Sequence, residues 1–255
     1  MLNKIVTYEN LRQFAYSNDK LIKGEIKGIV LNFSGCSVYS MYDTDTHLGK
    51  FYAQYGVIFI IPYYNPWAWM NVPAVNFVDE IVDVLIEKYN LTDVPMASTG
   101  GSMGGYGAIM YTLKAKRTPE ICVANCPVCD LPWHFSERPN IPRTLYSAFS
   151  YEDGDIRDIA QKYSPMEHID EFPKASEYHL FHGDNDEAVN YTAHSKRLYE
   201  KMKDAGFDIT FAVCKGRNHA NVLIDSDIPA KEYILKRFKI EYDVLESEFE
   251  FNHTV

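Results

Sequence analysis

Ten residues, Thr99-Gly100-Gly101-Ser102-Met103-Gly104-Gly105-Tyr106-Gly107-Ala108, constrain the fold of this chain more than any other stretch. Five glycines fall in the eight positions 100–107, and among them stands Gly-x-Ser-x-Gly as Gly100, Ser102 and Gly104. Val94 to Ser98, just before, is short and apolar and suits a buried strand. Ala108 to Leu113, just after, suits a helix. Strand, sharp turn and helix form the setting in which a serine is held on a strained elbow, where neighbours with little side chain leave it room. The backbone N–H of Met103 would then point at a substrate oxyanion from the start of a helix. A glycine-rich turn that merely joins strand to helix fits the same letters, so the partners of Ser102 must decide.

Bulk properties narrow the field. At 255 residues, one large α/β domain with a substantial core is affordable. Nineteen tyrosines and fourteen phenylalanines argue against disorder. A formal charge of −10 argues against nucleic acid or an anionic membrane as main partner, since phosphate binding needs clustered lysine and arginine. No apolar stretch reaches spanning length, and residues 1–6 lack the apolar run of a signal peptide. A soluble, cytoplasmic protein is the expectation. Five cysteines, an odd number, fit reduced thiols better than a disulfide framework.

Strand and helix patterns alternate along the chain. Residues 3–33 read as an N-terminal β region whose clearest strand, Lys27 to Phe33, ends in Ser34-Gly35-Cys36. A helix is predicted from about Thr44 to Tyr55 with Gly56 as its stop. The β-branched run Val57 to Ile61 suits a central strand buried on both faces. Residues 74–89 carry an apolar stripe with helical spacing. After the elbow come a strand at Ile121 to Asn125 and a segment, 130–168, with three early prolines and no strand pattern. It reads as a lid-like insertion after the sixth strand, within a single domain spanning 1–255, and helical in parts such as Ile156 to Tyr163. Strand 178–181, helix 192–205, strand 209–213 and helix 222–238 follow, and the acidic tail 241–255 reads as a partly frayed end. The alternation implies a largely parallel sheet covered on both faces, with sites gathered at the carboxyl ends of its strands.

A nucleophilic serine needs a base and a group that orients it. After strand 178–181 stands His182-Gly183-Asp184-Asn185-Asp186-Glu187-Ala188-Val189, and after strand 209–213 stands Lys215-Gly216-Arg217-Asn218-His219-Ala220. Both fall at the correct sheet edge, in the order serine, acid, histidine. Of eight histidines, only His219 follows the last strand. His182 reads as a hydrogen-bonding residue at a strand end, His134 and His168 as insertion residues that could line a pocket, and His47, His179, His194 and His253 as surface or element residues.

With these pieces the sequence resembles the α/β-hydrolase superfamily, and most of all the catalytic domains of the prolyl oligopeptidase and dienelactone hydrolase-like esterase branches. The elbow, Ser164-Pro165 ahead of a strand, the His182–Val189 loop and the Lys215–Ala220 loop carry the likeness, which spans roughly residues 27–238. It implies an α/β-hydrolase fold, with a mostly parallel central sheet and helices on both faces. It assigns the acid to Asp186, with Asp184 as competitor or turn-forming side chain, and the catalytic histidine to His219. The second oxyanion donor falls to the backbone N–H of Cys36, although this chain has Ser34 where the family often has histidine. A reactive thiol at Cys36 is the alternative, without an identified base.

Cys122, Cys126 and Cys129 match the spacing of a cluster-binding loop, but they begin inside an apolar run, where a strand splays alternate side chains. The resemblance explains them as a core strand entering a loop. The implied chemistry is hydrolysis of a small carboxylic ester through an acyl-enzyme, with Ser102, His219 and Asp186 as triad and no metal or organic cofactor. Tyr63, Tyr64, Trp67, Trp69, Trp133 and Phe135 follow strands and could line a pocket for an aromatic or acylated-carbohydrate ester. They could equally be packing beneath the insertion. A small peptidase of the prolyl oligopeptidase type, another acyl acceptor or haloperoxidase chemistry on the same triad, and a catalytically inactive binding protein remain open, because a fold alone does not fix a reaction. Within these 255 residues no propeller or other large N-terminal domain that would gate peptides is expected, so an ester is the expected substrate. Oligomeric state is not legible.

Overall fold

The computed structural model describes residues 5–36, 41–243 and 245. Seven strands form one sheet: β1 (Ala15–Ser17), β2 (Gly28–Phe33), β3 (Val57–Pro62), β4 (Met96–Gly101), β5 (Ile121–Asn125), β6 (Glu177–Gly183) and β7 (Ile209–Cys214). Their spatial order is β1-β3-β2-β4-β5-β6-β7. All neighbours run parallel except the β1–β3 pair, which is antiparallel. The elbow strand β4 therefore lies at the centre, and the chain reverses its direction of travel across the sheet there. Ligand sites of open parallel sheets form at such a switch point.

The helices are α1 (His47–Gln54), α2 (Val72–Tyr89), α3 (Met103–Lys114), α4 (Leu131–Glu137), α5 (Ile141–Phe149), α6 (Ile156–Lys162), α7 (Arg197–Asp204) and α8 (Leu223–Arg237). Their ends follow local chemistry. Thr46 caps α1 by accepting from Gly49 N, and Asn71 caps α2 by accepting from Ala74 N. Beyond α1 the chain turns at Gly56 with φ +72°, where a side chain would also strike the Glu25 carbonyl. Two apolar clusters flank the sheet. Residues of α2, α3, α7 and segment 130–168 pack on one face, and residues of α1 and α8 on the other. Such a sheet must read as continuous apolar runs, and β3 is buried at all six positions.

Two expectations need correction. Of the N-terminal β region, only the short β1 and β2 are strands, and Leu11–Gln13 and Asp19–Leu21 are 3-10 turns. In consequence segment 130–168 follows the fifth strand of the described residues, β5, and not the sixth. Two of its three early prolines start helices: Pro132 and Pro142 occupy the first turns of α4 and α5, where no intrahelical N–H is needed. The apolar residues of this segment, among them Leu131, Leu145, Phe149 and Ile159, join the main cluster. The helix after β6 opens with a π-helical turn, Thr192–Lys196, before α7. Residues 1–4 and the acidic tail from 246 onward lie outside the described residues. Among those described, no helix is long and apolar enough to cross a membrane.

Candidate active site at the elbow after β4

Ser102 stands between the end of β4 and the start of α3 with φ 59° and ψ −125°. That backbone is costly for a residue with a side chain and persists only where the surroundings impose it. Here they do. Ser102 N donates to Asn125 O at 2.9 Å, and Ser102 O accepts from Tyr106 N at 3.0 Å. A side chain at Gly104 would run into the Phe33 carbonyl, and one at Gly100 into the Gly104 carbonyl, so α3 seats its first turn directly on the ends of β2 and β4. The glycines are what let the helix approach this closely. The Ser34–Cys36 turn lies beside the serine, since a Cβ placed on Gly35 would be 3.9 Å from Ser102 Cβ.

His219 follows β7, as expected, with its side chain 29% exposed. Its Nδ1 lies 2.6 Å from Asp186 Oδ2. The Asp186 side chain is fully buried, and Oδ1 accepts from Ala188 N at 2.8 Å and Val189 N at 2.9 Å. Burial alone would raise this carboxyl's pKa, but the hydrogen bonds from His182 and His219 outweigh it and hold the group well below the usual carboxylate range. An ionised Asp186 can only accept, so the proton between the two side chains sits on His219 Nδ1 and leaves Nε2 as the basic nitrogen. Asp184 faces elsewhere: its Oδ1 accepts from Gly216 N at 2.6 Å and ties the two loops together. Between the two aspartates, geometry pairs Asp186 with the histidine.

A second histidine grips the same carboxylate. His182, fully buried, places Nε2 3.1 Å from Asp186 Oδ2 and 2.9 Å from Val189 O, while Nδ1 lies 2.7 Å from Ser195 Oγ. Two acceptors at Nε2 place a ring proton there, so His182 donates from Nε2. The sequence suggested a structural hydrogen bond for His182 but not its partner. Cys126, immediately after β5 with φ 43°, also lies against this group, and its sulfur, a His182 ring nitrogen and an Asp186 oxygen are all within 4.8 Å of one another. Burial above all pushes the Cys126 thiol up, and the Asp186 charge adds to it.

Ser102 and His219 line one cavity of about 330 Å³ that runs between α1 and α8. Asn32, Asn125 and Tyr52 also face it, as does the buried ion pair of Lys231 with Asp227 at 2.9 Å. Asn125 Oδ1 is buried with no donor among the described residues. Neither Asn125 nor the ion pair was singled out from the sequence, where a lone asparagine and an i, i+4 charge pair carry no sign of depth. The Cys36 thiol is pushed up by burial, against the pull of the Arg138 and Arg143 charges, so a reactive thiolate there is disfavoured.

The six aromatic residues named from the sequence do not line this cavity. Trp69 is core, donating from Nε1 to Thr144 Oγ1 at 3.0 Å and packing edge-on against Tyr106. Tyr63 and Tyr64 line a separate cavity near α2, Trp133 is exposed, and Phe135 lies under the Arg157 guanidinium. Trp67 is tied to the site loop, donating from Nε1 to Cys36 O at 3.2 Å, and Tyr64 reaches the Ser34 backbone of the same loop. Strand periodicity places a loop at the sheet edge but does not say which of its rings turn inward.

Among the described residues, two groups of side chains have metal-ligand chemistry, and neither fits a metal well. Cys122 and Cys126 fall in the clusters on opposite faces of the sheet, so the cysteine triplet does not converge. In the Cys126, His182, Asp186 group the carboxylate is already saturated by hydrogen bonds. His134, Glu137 and His194 converge more closely, with Glu137 Oε2 2.7 Å from His134 Nδ1 and 3.0 Å from His194 Nε2. However, His194 Nδ1 accepts from the N–H groups of Cys129 and Asp130, both at 3.1 Å. That fixes the ring proton on Nε2, where a metal would have to bind. His194, read from the sequence as a surface or element residue, is fully buried for this purpose.

Residues 71–247 match the prolyl oligopeptidase family. No curated protein matches the sequence. Among solved structures, a Mycobacterium tuberculosis puromycin-hydrolyzing peptidase superposes with TM-score 0.70 at 17% identity, over 88% of this chain and 36% of that one. A Pyrococcus horikoshii acylaminoacyl peptidase gives 0.68 at 14%, over 88% and 40%. The esterase PE8 gives 0.55 at 18%, over 84% and 94%. The chain thus spans two fifths or less of the two peptidases and nearly the whole of the esterase. A match over more than half the sequence, on a mostly parallel sheet with a strained serine at its central strand, establishes that the chain belongs to the prolyl oligopeptidase family and has the α/β-hydrolase fold.

Proposed function

We propose that this protein is a serine hydrolase that cleaves carboxylic esters through a covalent acyl-enzyme. The observation that carries the reading is the 2.6 Å contact between His219 Nδ1 and a buried, ionised Asp186, made at the rim of the cavity that Ser102 also lines. In this mechanism Ser102 Oγ attacks the carbonyl carbon and His219 Nε2 takes the hydroxyl proton. Asp186 holds the imidazole in the required tautomer and stabilises the imidazolium. The N–H groups of Met103 and Cys36 stabilise the oxyanion. Protonated His219 then gives its proton to the leaving alkoxide, and water, deprotonated by the same nitrogen, releases the acid and restores the serine.

A peptidase is the second reading, favoured by the family match and by the names of the first two neighbours. Coverage favours the ester: a neighbour matched over nearly its whole length, PE8, is an esterase. Steady-state hydrolysis of p-nitrophenyl acetate beside a blocked dipeptide p-nitroanilide separates the two. Turnover of the ester but not the anilide is expected, with Ser102→Ala lowering kcat by about 10⁶-fold. Preferred turnover of the anilide would replace the ester reading by the peptidase one.

A further inference from the structure

The inner face of α8 carries an ion pair where packing alone calls for apolar residues. Lys231 and Asp227, one turn apart, have side chains 3% and 7% exposed and pair at 2.9 Å. Lys231 Nζ also lies 4.7 Å from the centre of the Phe51 ring on α1. Ile234 and Leu235 of the same helix belong to the apolar cluster on this side of the sheet. Taking two charges out of water costs about as much as their attraction returns, so apolar residues here would serve stability as well.

The sheet beneath shows a matching irregularity. Side chains alternate between the faces of a strand, and on this face β2, β4 and β5 give Val30, Ala97, Ile121 and Val123 to the same apolar cluster. The next positions on that face, toward the carboxyl ends of the strands, include Asn32, Thr99 and Asn125, with Asn32 opposite Thr99 in the β2–β4 ladder. Thr99 Oγ1 donates to Asn32 Oδ1 at 3.0 Å, and Asn125 Oδ1 has no donor among the described residues. This polar row and the ion pair line the same cavity of about 330 Å³ as Ser102 and His219. Helix and sheet therefore present polar groups to one space shared with the nucleophile and its base. The chemistry of these walls limits what they take. A carboxylate would meet Asp227 and an ammonium would meet Lys231, whereas a neutral hydroxyl can both donate and accept. The volume lies at the small end of ligand cavities, which run from about 300 to 1,000 Å³.

We infer that this cavity receives a short, neutral, hydroxylated part of the ester, whose hydroxyls bond to the Asp227–Lys231 pair and to the Asn32, Thr99 and Asn125 row. The inference rests on the serine-hydrolase reading above. The test compares 2,3-dihydroxypropyl butyrate with 2-methylbutyl butyrate, and ethyl 3-hydroxybutyrate with ethyl 3-methylbutyrate. Each hydroxyl of the first member is a methyl in the second, on the alcohol side in one pair and on the acyl side in the other. Wild type should favour the hydroxylated member of one pair by about 10–100-fold in kcat/KM, since a methyl leaves buried polar groups unpaired. That ratio should fall toward unity in Asp227→Leu/Lys231→Met, which removes both charges together, and in Asn125→Leu. Comparing ratios between proteins cancels the intrinsic reactivity of each ester. A ratio that both variants keep, with both esters slowed alike, would mark the polar walls as structural and overturn the proposal. So would a wild type that prefers neither member, or prefers the methyl ones, while its Ser102 still reacts with a fluorophosphonate, and there the hydrolase reading would stand. A folded wild type that neither labels nor hydrolyses any ester would overturn both.

Discussion

Asp186 is the residue on which the site turns. Four donors converge on one buried carboxylate, from two backbone N–H groups and two histidines, and they fix both its ionisation and its direction. Replacing it with asparagine would present His219 with the wrong tautomer and also leave His182 with a poorer partner. Asp186→Asn should lower kcat for an ester by about 10³–10⁴-fold. Asp184→Asn should stay within about 3-fold, because an amide oxygen can still accept from Gly216 N. A larger loss from Asp184→Asn than from Asp186→Asn would reverse the assignment. At this scale the sequence was informative about Ser102 and His219, whose neighbours are short glycine-bearing loops after strands. It ranked the two aspartates only by resemblance, since one turn of loop decides which side chain faces inward. His182 as second donor to the acid, and Cys126 beside it, depend on contacts across strands that no spacing encodes.

At the level of elements, segment 130–168 is fastened to the body of the protein through Glu137. This carboxylate, at the end of α4, holds His134 of the same helix and His194 of the turn before α7, and accepts from Asn190 N at 2.7 Å. Burial would raise its pKa, yet the two histidines bring it well below the usual range. Burial lowers that of His134. Both shifts have the same sign for stability. A depressed carboxyl contributes above its unfolded pKa, and the contribution is lost as pH falls through that value toward the folded one. A depressed imidazole is likewise protonated first in the unfolded chain as pH falls below about 6.5. Acidification should therefore loosen this clasp. Glu137→Gln should cost about 2–3 kcal/mol near pH 7, on the order of 5–10 °C in Tm, with a flatter decline in Tm than wild type below about pH 4.5, where the Glu137 contribution is lost. Equal melting curves at pH 7 would show that the clasp contributes nothing. The sequence noted the early prolines of this segment without assigning them a helix. Pro132 and Pro142 lie in the first turns of α4 and α5, and of the three helices only α6 was legible beforehand.

For the molecule as a whole, the sheet's parallel interior was legible because burial on both faces demands uninterrupted β-branched runs, of which Val57 to Ile61 is the clearest. The edge was not. The three-residue β1 owes its pairing to β3 and not to its own composition. What the fold achieves is to place the elbow on its central strand and bring loops after β2, β6 and β7 to the same edge. Residues as far apart in sequence as Gly35, Ser102, Asp186 and His219 then share one site. The central claim is that this edge activates a serine. Its most direct test is intact mass after exposure of folded wild type and Ser102→Ala to a fluorophosphonate. One adduct on wild type and none on Ser102→Ala is the expected result. A folded wild type that gains no adduct, or a Ser102→Ala protein that gains the same one, would contradict it.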